Sequence, residues 1–204
     1  MNYHTKFSFL SFLILFGIFL FHHCSFAQAN YCSFCEQSIK TTNTGMIILG
    51  VWATANLAIG AYGWSIYSGQ QKYFNQMNFF WNTVNLTIAG IALYNNNDID
   101  CRALTPDNIL SRNEDTERIL LINAALDIGY IGIGLLLRHF SKNSTLRGDL
   151  LKGYGNSLVL QGTFLFVFDL CLYGILRNQT LNFLSTIDIS IGADMKSFHL
   201  ILNL

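Results

Sequence analysis

The amino-acid sequence predicts an all-α membrane protein: a bundle of four transmembrane helices built as two hairpins, with an N-terminal signal peptide and a short extended C-terminal tail. Three observations carry that expectation. Only 12% of the 204 residues are charged while 51% are hydrophobic, far from the soluble balance of about a quarter charged. Four segments, at residues 45–67, 77–94, 119–137 and 158–176, are long, apolar and free of Lys and Arg. At about 1.5 Å per residue each approaches the ~30 Å hydrocarbon core of a bilayer. The charges gather in the polar stretches between these segments, so no basic face is available for nucleic acid.

The N-terminus is a targeting signal in form. Lys6 precedes an apolar run from Phe7 to Phe21, and Ala27-Gln28-Ala29 supplies the small-x-small pattern that signal peptidase accepts, so residues 1–29 read as a signal peptide cleaved after Ala29. The run is shorter than the roughly 20 residues of a span, which disfavours an uncleaved anchor. His22 and His23 stand where a lipidated Cys24 would need small residues. Residues 30–44 then form an external tail ahead of the first span.

The short stretch Gln70 to Gln76 makes the first two spans one antiparallel hairpin, and the basic stretch Arg138 to Lys152 joins the last two. Arg138, Lys142, Arg147 and Lys152 crowd that basic connection, whereas residues 95–117 carry Asp98, Asp100, Asp107, Glu114, Asp115 and Glu117. By the positive-inside rule the basic connection is cytoplasmic. The expected location is therefore a bacterial inner membrane, with the mature N-terminus and the C-terminus outside the cytoplasm. Ala53-Thr54-Ala55-Asn56 with Gly63 aligns on Ala124-Ala125-Leu126-Asp127 with Gly134, and Asn85-Leu86 with Gly90 on Asp169-Leu170 with Gly174; internal duplication and chance are both open. In the external tail at 178–204, Ile187, Ile189 and Ile191, then Phe198, Leu200 and Leu202, alternate with other residues and suggest a short strand or hairpin.

Every span has a carboxamide or carboxylate near its middle: Asn56, Asn85, Asp127 and Asp169. An aspartate at mid-bilayer costs on the order of 3 kcal/mol even on the mildest scale, and no cation lies within any span to offset it. Helical spacing places Trp52, Asn56, Gly60, Gly63 and Tyr67 on one face, and Asn75, Asn78, Asn82 and Asn85 on another. Asn123, Asp127, Tyr130 and Gly134 form a third stripe, and Gln161 with Asp169 a fourth. A polar intramembrane core of Asn56, Asn82, Asn85, Asn123, Asp127, Gln161 and Asp169 is expected. As structure, these residues are interhelical glue, each bond contributing about 0.6 to 2 kcal/mol, with glycines allowing close approach. As function, they line a cavity for a small ion, a proton or a small solute, around two carboxyls that cannot both ionise in a low dielectric.

Cys32 and Cys35 form a CxxC just before the first span, and Cys101 lies in the second connection. In an oxidising compartment either a Cys32–Cys35 or a Cys35–Cys101 disulfide is plausible. A quinone-linked thiol oxidoreductase also combines four helices with external cysteine pairs, but a partner for Cys101 within its own loop is missing. No histidine lies inside a span, which disfavours haem, and no metal or cofactor motif stands out. A binding, transport or scaffold component is therefore expected ahead of an enzyme. The bilayer is its partner, with a homodimer or a membrane complex suggested by the small number of spans.

Trp52 to Gly63, Tyr73 to Asn85, and Gly153 to Gly162 through Asp169 resemble an uncharacterised family of four-span bacterial integral membrane proteins, over about Asn43 to Arg177. Its recurrent motifs stand here as Trp81-Asn82, Gln161-Gly162 and Phe168-Asp169. The resemblance implies the fold and no activity.

Overall fold

Four helices make up the computed structural model, which describes the backbone of residues 3–202 and the side chains of residues 30–187: α1 Tyr3–Ile66, α2 Gly69–Asn97, α3 Pro106–Ser141 and α4 Gly148–Leu202. α1, α3 and α4 each contain a stretch long and apolar enough to cross a membrane. The composition of α2 is more polar for a visible reason. Five of its six buried residues are asparagines, Asn75, Asn78, Asn82, Asn85 and Asn96, while Phe80, Val84, Ile88 and Ile91 point outward and are exposed. This is the reverse of a soluble amphipathic helix, whose apolar stripe faces the core.

The helices outrun the predicted spans at nearly every end. Only Tyr67 and Ser68 separate α1 from α2, so Gln70 to Gln76 are helical rather than a loop. The reversal is made at Gly69, whose φ of 57° lies in the left-handed region that favours glycine. The acidic stretch expected as connection is largely the first turns of α3. Thr105 caps that helix by accepting from the Asn108 amide, Pro106 opens it and Asp107 sits in its first turn. Arg138 and His139 lie in the last turn of α3, where cations complement the helix dipole.

Both tails differ from expectation. Residues 30–44 are an inward-packed part of α1, and the extended C-terminal tail is replaced by a continuation of α4. Leu176, Thr180, Phe183, Leu184 and Ile187 recur at three- and four-residue steps as well as the alternation noted above. Extending an existing helix needs no new nucleus, whereas an isolated two-stranded hairpin is marginal in water. The predicted signal peptide falls on residues 1–29, whose side chains lie outside those described.

α1 packs along α2, α3 along α4, and α4 touches all three other helices. α2 and α3 do not meet backbone to backbone among the described residues; Trp81 reaches across to Tyr130, ring centroids 4.6 Å apart. α3 and α4 pack closely where a Cβ on Gly134 would stand 2.8 Å from the Gly155 carbonyl oxygen. Gly90 and Gly132 have open space at that position instead.

Along its length the bundle alternates apolar and polar layers. At one end Phe34, Cys35, Cys101 and Ile109 form an apolar cap, with Phe34 stacked on Phe183 at 4.3 Å. A second apolar layer, of Met46, Leu49, Ala89, Leu120, Leu172 and Leu176, lies further in. The remaining buried side chains are mostly polar, with Ala53, Ala124 and Leu158 among them.

Candidate functional site

The central polar layer grows from the asparagine stripe of α2. Asn78 donates to the Asn56 side-chain oxygen at 3.0 Å, its own oxygen accepts from Gln161 of α4, and Asn82 donates to it at 3.2 Å. Trp52 of α1 donates to the Gln161 oxygen at 3.1 Å and stacks on Phe164. Asn56 and Asn82 also donate back to carbonyls one turn earlier, Trp52 and Asn78. Three helices are thus joined by a chain of amides, with Asn82 and Gln161 0% exposed. Helical repeats of three and four in each segment put these residues on one line, which is why the sequence stripe became the buried one.

Asp127 of α3 and Asp169 of α4, 3% and 5% exposed, lie near enough for each carboxyl to act on the other. Two carboxyls that close in a low dielectric do not both ionise. The backbone carbonyl of Asp127 lies 3.1 Å from where a Cβ on Gly162 would stand, so a side chain there would part the helices that hold the pair.

Not every polar atom in this region is satisfied. Trp81 Nε1, Asn82 Oδ1, Asn85 Nδ2, Asp127 Oδ2 and Ser157 Oγ are buried without a protein partner. They come from α2, α3 and α4. Buried polar groups are normally bonded, and those without a protein partner are commonly met by ordered water or another small polar species. Of the expected core residues, Asn56, Asn82 and Gln161 are joined through Asn78, Asp127 and Asp169 lie near each other, and Asn85 contributes an unpartnered amide. Asn123 is half-buried at the edge of the α3 stripe and belongs to neither set.

A second polar network, beneath the apolar cap, was not singled out by sequence reasoning. Glu117, itself buried, accepts from Asn113 at 2.9 Å and from Thr180 at 2.7 Å, and faces Arg177 at 3.5 Å. Ser38 of α1 donates to Asn113, and Arg112 and Asn43 are tied through Asn96 of α2. The signal was present: Asn113, Glu117, Leu120, Ala124 and Asp127 step by four and three along one face of α3. Counting the acidic stretch as connection hid it.

Cys35 is bonded to Cys101, and Cys32 is a free, half-buried thiol. Of the two pairings open from the sequence, the structure forms the one that ties α1 to the α2–α3 connection. The CxxC is therefore not closed on itself. Burial and the nearby Glu36 carboxylate hold the Cys32 thiol above its ordinary value, the reverse of an activated redox cysteine.

Residues 48–170 match the model of a family of unknown function, DUF6992. The chain belongs to this family. The DUF6992 segment takes in Asn56, the α2 asparagines, Asp127, Gln161 and Asp169, so the central layer lies inside it. Cys35, Ser38 and Thr180 lie outside, and the disulfide crosses its boundary. No curated protein and no solved structure matches the chain.

Proposed function

We propose that this DUF6992 chain is a multi-pass protein of a bacterial inner membrane whose polar core binds and transports a small ion, a proton or a small polar solute. The observation that carries the reading is the set of five buried polar atoms named above, on α2, α3 and α4, that have no protein partner, one of them Oδ2 of Asp127. A purely structural polar core would satisfy its groups internally, as the Trp52–Gln161–Asn78–Asn56 chain does. On this reading the guest supplies the partners these atoms lack.

The membrane placement is supported by polarity that runs inside out. All four helices expose large apolar side chains, such as Val51, Ile88, Ile122 and Val167, while asparagine, glutamine and aspartate are buried. On this reading α2 is the fourth span despite its composition, and α1–α2 and α3–α4 are two transmembrane hairpins. The Arg138 to Lys152 connection faces the cytoplasm, and the disulfide end faces the oxidising side. The leader is removed after Ala29.

A scaffold role is the second reading, favoured by the self-satisfied amide chain. The two readings separate in reconstituted vesicles, by ion or proton flux measured on wild type and on Asp127→Asn and Asp169→Asn.

A further inference from the structure

At the end of the bundle opposite the disulfide, a cavity of about 690 Å³ is lined by Arg138, His139, Lys142, Thr145, Leu146, Lys152 and their neighbours. It lies where α3 ends and α4 begins. Its charge is one-sided. Among the described residues, Arg138, Lys142 and Lys152 are paired with no carboxylate, and the one acidic residue of the lining, Asp149, has its Oδ2 turned to Gly69 at the start of α2, 3.0 Å from where a Cβ would stand there. The stem of Arg138 lies across Gly155, 2.9 Å from the corresponding point, so the residue is held at the cavity edge by helix packing.

Beside these cations sits Leu146, 95% exposed in the connection itself. In water the three cations would be hydrated and a single exposed leucine would be ordinary. At a membrane surface both features find partners: the leucine enters the acyl region while the cations meet phosphate. Basic pockets between spans on the cytoplasmic side take lipid headgroups in this way.

We propose that this cavity binds the phosphate of an anionic lipid headgroup, with Arg138, Lys142 and Lys152 as its charge partners, His139 and Thr145 as additional donors and Leu146 against the acyl chain. The inference is separate from the polar core and rests on the membrane reading of the bundle.

The test is made on the full-length protein, reconstituted into vesicles of equal phosphatidylglycerol and phosphatidylcholine and then re-extracted in mild detergent, with the co-purifying lipid quantified. Wild type retains phosphatidylglycerol in preference to phosphatidylcholine. Lys142→Gln and Lys152→Gln each lower that preference about fivefold, the effect of about 1 kcal/mol per surface cation. Lys40→Gln, a neutralisation near the disulfide end, leaves it unchanged. Equal retention of the two lipids by wild type overturns the proposal and leaves the membrane reading standing. Retention that is unaltered in the Lys142 and Lys152 variants also overturns it. Displacement of the lipid by inorganic phosphate reassigns the site to a soluble phosphate and overturns the lipid assignment. Failure of wild type to enter either lipid contradicts the membrane reading and this inference with it.

Discussion

Gln161 of α4 donates a hydrogen bond to Asn78 of α2, and neither side chain is more than 1% exposed. The pair sits at the junction of three helices, because Gln161 also accepts from Trp52 and Asn78 also bonds Asn56. Removing one member strands the partners of the other. Gln161→Leu is expected to destabilise the bundle by about 1 to 3 kcal/mol, the cost of leaving buried polar groups unmade. Thr163→Val, which changes an exposed hydroxyl bonded only to its own helix, is expected to fall within about 0.5 kcal/mol. Detergent-denaturant unfolding of the two variants checks the contrast.

The α3–α4 contact depends on two glycines facing each other. A Cβ on Gly155 would stand 2.5 Å from the Gly134 carbonyl oxygen, and backbone cannot yield as a flexible side chain does. Gly155→Leu is expected to cost more than the ~1 to 3 kcal/mol typical of overpacking, and to lower folded yield sharply. Gly90→Leu, in open space, is expected to leave yield unchanged; size-exclusion profiles of the two variants measure this.

Cys35 and Cys101 close a loop of 66 residues, for which the chain-entropy model gives about 4 kcal/mol. Cys101→Ser should lose stability of that order. Peptide mapping without reduction should recover Cys35 joined to Cys101 and Cys32 open to alkylation. A thiol held above its ordinary value has less thiolate at any given pH, so the alkylation of Cys32 should accelerate at a higher pH than that of a free cysteine. A Cys32–Cys35 bridge in the map would reverse the assignment.

Much of this was legible in the sequence, for one physical reason: a residue type that is costly in lipid announces where a helix faces its neighbours. Asn78, Asn82 and Asp127 stood out against apolar surroundings and are buried. What escaped was polarity among polarity. Glu117 and Asn113 lie in an acidic stretch, where a buried carboxylate looks like its exposed neighbours Glu114 and Asp115. The long helical ends escaped too, because a span marks the thickness of a bilayer and not the length of a helix. The pairing of Cys35 with Cys101 depended on α1 continuing past its apolar segment, which no local pattern in residues 30–44 announced.

Removal of the leader is checked by intact mass of the protein purified from membranes. Cleavage after Ala29 leaves Asn30 as the first residue; a mass that includes residues 1–29 would make the leader a permanent part of α1.

The central claim is that the core binds and transports a small polar guest. It is tested most directly by proton and ion flux into vesicles containing wild type, Asp127→Asn or Asp169→Asn, with folded yield scored on the same preparations. The account predicts flux through wild type and its loss in both variants at undiminished yield. Absence of flux from wild type, together with unchanged or improved stability in the variants, would contradict it and make the carboxyl pair a purely structural contact.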